Sequence, residues 1–98
     1  MLDLDRLRNK TTEIRWEGRA LHVLAPSVAL VRQLLSLSGC PDDELLERQT
    51  ALAAALLSRN TEGRRVTEPE AAALPPSALQ AVLRQAMETA MEAEQDPN

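Results

Sequence analysis

Apolar and polar positions alternate between residues 12 and 24 around a short turn that contains glycine. Thr12-Glu13-Ile14-Arg15-Trp16 leads into Glu17-Gly18, and Arg19-Ala20-Leu21-His22-Val23-Leu24 leads out. A period of two on both sides of such a turn predicts a β-hairpin. With Glu17-Gly18 as a two-residue loop, Trp16 opposes Arg19, Ile14 opposes Leu21 and Thr12 opposes Val23. Opposed residues share a face, so Ile14, Trp16, Leu21 and Val23 form one apolar side. An isolated hairpin is marginal in water, and that side therefore calls for a helix to cover it.

After Leu24 the period changes. Ser27 is placed to cap a helix running to about Ser38, with Leu30, Val31, Leu34, Leu35 and Leu37 at helical spacing. Gly39, in a left-handed conformation, and Pro41 would stop it. A second helix is predicted from Asp42 to Arg59, its acids Asp42, Asp43, Glu44 and Glu47 near the positive end and Arg59 near the negative end. Its apolar stripe reads Leu45, Leu46, Leu52, Leu56 and Leu57, and Ala51, Ala53, Ala54 and Ala55 allow a close neighbour. Residues 60–66 read as a polar connector. Thr67-Glu68-Pro69-Glu70 has the spacing of a capping box, opening a helix that Leu74-Pro75-Pro76 must cut short. Ser77-Ala78-Leu79-Gln80 has the same spacing and opens the last helix, to about Ala93. Its stripe of Leu79, Val82, Leu83, Ala86, Met87, Ala90 and Met91 is a sustained amphipathic match.

These elements predict one domain over residues 1–98, mainly α with a small N-terminal β-hairpin. It comprises an N-terminal segment (1–11), the hairpin (12–24), a helical region (27–93) of three main helices and one short one, and a frayed polar tail (94–98). Composition agrees. Apolar residues make up 44% of the chain, there is no Phe or Tyr, and Trp16 is the only aromatic residue. A core of Leu, Ala and Val favours helices, since Ala and Leu lose little on entering one.

Charge narrows the classes of partner. The net charge is −4, and residues 68–98 hold six acids against Arg84 alone, which leaves the remainder close to neutral. Such a second half lacks the clustered Lys and Arg that bind phosphate, so no nucleic-acid partner is expected. Cys40 stands alone, so no internal disulfide framework is possible and a reducing compartment fits. No stretch approaches the roughly 20 apolar residues of a membrane span, and Met1 to Lys10 mixes acids and bases unlike a signal peptide. A cytoplasmic protein without a membrane partner is expected.

Each candidate for chemistry is thin. His22, the only histidine, could act as an acid or base, or simply pair with Glu13 across the hairpin. Cys40 has Asp42, Asp43 and Glu44 as neighbours, which raise a thiol's pKa and favour an unreactive cysteine. Those acids lack the Asp- and Gly-containing loop of a calcium site and serve a helix N-terminus. Gly63-Arg64-Arg65 could hold a phosphate, but without a Gly-rich loop after a strand it reads as a solvated connector. No catalytic residue, metal ligand or cofactor is expected, and the chain reads as a non-enzyme.

Protein binding is the remaining expectation. Met87 and Met91 lie one turn apart on the last helix, where flexible, polarizable side chains could adapt to a partner or belong to the core. Trp16 near the hairpin tip could anchor a partner or roof the core. Trp16, Leu79, Leu83, Met87 and Met91 are thus the candidate partner-binding residues.

The order of elements resembles a known family. Ile14-Arg15-Trp16-Glu17-Gly18-Arg19-Ala20-Leu21-His22-Val23, then Pro26-Ser27 opening a helix, a Leu- and Ala-rich helix, and Gly63-Arg64-Arg65-Val66-Thr67 before an acidic helical tail look like the small tail assembly chaperones of long-tailed bacteriophages and prophages. The resemblance covers most of the chain through layout and a few residues. It implies a helical, non-catalytic chaperone in the bacterial host cytoplasm that binds the tape-measure protein before tail-tube subunits assemble, and that self-associates. Two other classes fit the residues: a structural virion component such as a head-tail connector or tail-completion protein, and a small regulator or inhibitor of the antitoxin or anti-defence kind.

Overall fold

A computed structural model describes the backbone of residues 1–95 and the side chains of residues 1–91. The protein is mainly helical with a two-stranded antiparallel hairpin near its N-terminus. In chain order the elements are α1 (Leu4–Arg8), β1 (Thr11–Trp16), β2 (Arg19–Leu24), α2 (Val28–Ser36), a 3-10 turn (Leu37–Gly39), α3 (Asp42–Leu57), α4 (Glu68–Ala72) and α5 (Pro76–Gln95). Among the described residues three helices are substantial and two are short.

The hairpin has the register that its alternation predicts. Trp16 pairs with Arg19, Ile14 with Leu21 and Thr12 with Val23. Glu17 and Gly18 both take positive φ, 53° and 76°. That is the conformation in which a two-residue turn matches the twist of the strands, and it is strained for Glu17, which has a Cβ. The outer edge of β2 is also paired. His22 accepts from the Thr61 amide at 3.0 Å, Leu24 donates to the Arg59 carbonyl at 2.7 Å, and Val23 bridges to Asn60. Residues 59–61 thereby act as a fragmentary third strand, so the connector is part of the fold.

Ser27 caps α2 as expected, its hydroxyl accepting from the Leu30 amide, and Thr67 with Glu70 forms a complete capping box on α4. Several predicted boundaries move, among them the end of α3, at Leu57 and not Arg59. Gly39 does not take a left-handed conformation; a 3-10 turn closes this stretch, with the Cys40 amide donating to the Leu37 carbonyl at 3.1 Å. Ser77 is not the cap of the last helix, because the Pro75 carbonyl already accepts from the Ala78 and Leu79 amides. Pro76 sits in the first turn of α5, where its missing N–H costs nothing. At the other end α5 continues past Ala93 to Gln95, so the predicted tail is helical at residues 94 and 95, and residues 96–98 lie outside the described residues.

Two apolar clusters form the core. One gathers Leu34 of α2, Leu52, Ala53 and Leu56 of α3, and Leu79 and Leu83 of α5. The other places Leu21 and Val23 of the hairpin on Leu57 and Val66, with Ile14, Trp16 and Val82 against them. α3 touches both clusters and is the central element. Its buried face differs from the predicted stripe. Leu46 is 58% exposed, whereas Gln49 is buried and accepts from the Gln80 amide group at 3.2 Å. The buried alanines Ala53 and Ala54 let neighbouring elements approach the helix closely.

Candidate interaction surfaces

The predicted partner residues divide into core and surface. Leu79 and Leu83 point into the first cluster and have almost no surface to offer. Their apolar stripe is the packing face of α5, which is why sequence periodicity selected them. Met87 packs against the same cluster, and Met91, one turn further, is 47% exposed. Trp16 is half-buried over the second cluster and carries the Arg64 guanidinium 4.4 Å from its ring centroid. Arg64 also pairs with Glu17 and, at 3.4 Å, with Glu70. The structure therefore uses Trp16 as a roof and Arg64 as its brace, an arrangement in which a cation over an aromatic face is favourable.

A surface that the sequence reading did not select lies on α2. Leu30, Leu34 and Leu37 turn to the core, while Val28 and Leu35 are 78% and 61% exposed and Val31 is half-buried. Positions 28, 31 and 35 follow i, i+3, i+7 spacing and form a second apolar stripe away from the first. The signal was present in the sequence as a surplus. Nine residues of α2 hold more large aliphatic side chains than one buried face can use.

The hairpin and α5 enclose a different feature. Thr12 and Thr89 join the two elements through their hydroxyls at 2.6 Å; the Thr89 hydroxyl donates to the Gln85 carbonyl, so Thr12 is the donor between them. On either side of Ile14 lies a shallow cleft. One, of about 220 Å³, is lined by Ile14, Trp16, Leu74, Ala78 and Ala81 among others. The second, of about 230 Å³, is lined by Thr12, Glu13, Ile14, Ala81, Val82 and Gln85.

The residues considered for chemistry are engaged structurally. His22 pairs with Glu13 across the hairpin at 3.7 Å and more closely with Glu62: its Nδ1 donates to Glu62 at 2.8 Å, and its backbone amide donates to the same carboxylate at 2.8 Å. Those two bonds hold the Glu62 carboxyl down at about 2, the backbone donor contributing most, and the side-chain bond to Glu62 raises His22 above its usual value. Folding raises the His22 pKa, so its contribution to stability is complete below about pH 6.5 and fades as pH rises through the raised value. Folding lowers that of Glu62, whose contribution is complete above about pH 4.5 and is lost as pH falls toward 2. The pair is strongest where the two ranges overlap. An NMR titration of this single histidine should give a midpoint above 6.5, and Glu62→Gln should lower it. An unchanged midpoint in the variant would show that the pair does not form in solution.

Cys40 is half-buried and donates weakly to the Pro41 carbonyl at 3.5 Å. Asp42, Asp43 and Glu44 occupy the first turn of α3, with Glu44 also bonded to Arg48 at 3.1 Å. Among the described residues no three His, Cys, Asp or Glu side chains gather as a metal site would require, and no helix is long and apolar enough to cross a membrane. Comparison of the chain with protein-family models, characterised proteins and solved structures returns no match.

Proposed function

We propose that this is a non-catalytic binding protein whose client-binding surface is the outer face of α2. The observation that carries the reading is the exposure of Val28 and Leu35, joined by the half-buried Val31 in one stripe, although α2 already buries Leu34 on its inner side. Large apolar groups held in water at adjacent helical positions offer a partner more than isolated exposed leucines do. The stripe spans eight residues, about 10 Å along the helix, and suits the apolar face of a client helix.

Together with the layout described above, this surface suits an assembly chaperone of a long-tailed bacteriophage, working in the host cytoplasm. The client would be the tape-measure protein, a long helical chain that must be kept soluble until tail-tube subunits surround it. Neither task needs an active site or a cofactor. Co-expression with a phage tape-measure protein as the proposed client tests the reading. The client should co-purify and gain solubility, and Val28→Glu with Leu35→Glu should abolish both effects while circular dichroism stays unchanged. No co-purification and unchanged client solubility with the wild-type protein would overturn it.

A further inference from the structure

We infer that two copies of this chain pair through the free edge of β1, in one antiparallel register, to form a four-stranded sheet. The inference does not depend on the client proposed above. The parity of the hairpin supplies its first part. His22 and Leu24 direct their backbone groups away from β1, toward Glu62, Thr61 and Arg59. Their register partners Glu13 and Thr11, and Arg15 opposite Ala20, must direct theirs away from β2. Residues 59–61 cover the β2 edge, but no described residue pairs with the backbone of Glu13 or Arg15. An uncovered edge of this kind is a template for another strand.

The charges along that edge commit it to a second copy. Glu13 and Arg15 are exposed on the outer face of β1, two residues apart and opposite in sign. In a two-fold antiparallel pairing centred on Ile14, Glu13 of each copy lies directly opposite Arg15 of the other. Both are residues whose backbone groups face outward, so this register also makes the main-chain hydrogen bonds. The neighbouring registers that keep those bonds set Glu13 against Glu13 or Arg15 against Arg15, and directly opposed like charges are unfavourable. One register is therefore selected. On the inner face Ile14 meets Ile14, and the clefts beside it, lined by the small side chains of Ala78 and Ala81, leave room for the incoming strand.

The test is the solution mass of the full chain by sedimentation equilibrium at tens of micromolar. The wild type should be a dimer. Glu13→Arg alone and Arg15→Glu alone should each weaken self-association at least about tenfold, since each places like charges opposite one another in both halves of the interface. Mixed together, the two variants should form a heterodimer, because two basic positions then face two acidic ones; this arm also shows that both variants are folded. A monomeric wild type would overturn the inference. So would a dimer that either substitution leaves unchanged, or a mixture that remains monomeric.

Discussion

Leu56→Ala is expected to destabilise the protein by about 2–5 kcal/mol, the range for truncating a large side chain in a packed core. Leu56 is 1% exposed and sits in the cluster that joins α2, α3 and α5. Removing its isobutyl group takes apolar contact from three helices at once and leaves a hole lined by Leu34, Leu79 and Leu83 among others, which their own packing prevents from closing. For a chain of this length the melting temperature should fall on the order of 10–20 °C. Leu46→Ala on the same helix is the control. Leu46 belongs to the predicted stripe but is exposed, and its loss should move stability by no more than about 0.5 kcal/mol. Thermal denaturation of both variants checks the pair, and equal effects would mean that the buried face of α3 is wrongly assigned.

Asn60→Ala should cost about 1–3 kcal/mol, the range for leaving part-buried polar groups without partners. The Asn60 side chain donates to the Leu57 carbonyl at 2.8 Å and to the Arg64 carbonyl at 2.7 Å, and accepts from the Arg64 amide at 2.9 Å. It therefore closes the loop that follows α3 and turns the chain back at Gly63, whose φ of 72° suits glycine. Ser58 completes the closure, accepting from the Val66 amide at 2.9 Å. Together they deliver Val66 to the second cluster and Glu62 to His22. Denaturant unfolding gives the cost, and hydrogen exchange locates it. The Arg64 and Val66 amides should exchange faster in the variant, whereas unchanged protection there would show that the loop closes without Asn60.

That loop also marks the limit of what the sequence made legible. The hairpin register could be read because its alternation and turn are local, and each strand fixes the other. The apolar stripe of α5 could be read because it persists for several turns. Residues 60–66 carry no such period. Val66 is one apolar residue in a polar run, and its burial depends on Leu21 and Val23, more than forty positions earlier. For His22 the sequence offers only Glu13, its cross-strand neighbour, which does pair with it; the closer contact with Glu62 arises only when the loop folds back along β2. On α3 the pattern failed for the opposite reason. Leu45 and Leu46 are adjacent and the Leu and Ala run over residues 51–57 is unbroken, so spacing alone does not distinguish Leu46 from the buried face. α1 passed unnoticed because five residues give no period, although Asp3 caps it by accepting from the Arg6 amide at 3.2 Å.

The same contrast governs the candidate surface. Leu79 and Leu83 stand out by regular spacing, and regular spacing is how a helix packs on its own core. The spacing places Val31 and Leu35 in a single stripe with Leu34 and leaves Val28 out of it, and only the placement of α2 separates an inner face from an outer one. A partner surface is apolar material left over after the fold is satisfied, so it becomes visible once burial has been assigned residue by residue.

Isothermal titration with a purified helical segment of the tape-measure protein tests the central claim most directly. The wild-type protein should bind, and the Val28→Glu/Leu35→Glu variant, with an unchanged NMR spectrum away from α2, should lose at least about 2 kcal/mol of binding free energy, as expected for removing a central apolar anchor. Equal affinity of the two proteins for the segment would contradict the assignment of the outer face of α2 as the client-binding surface.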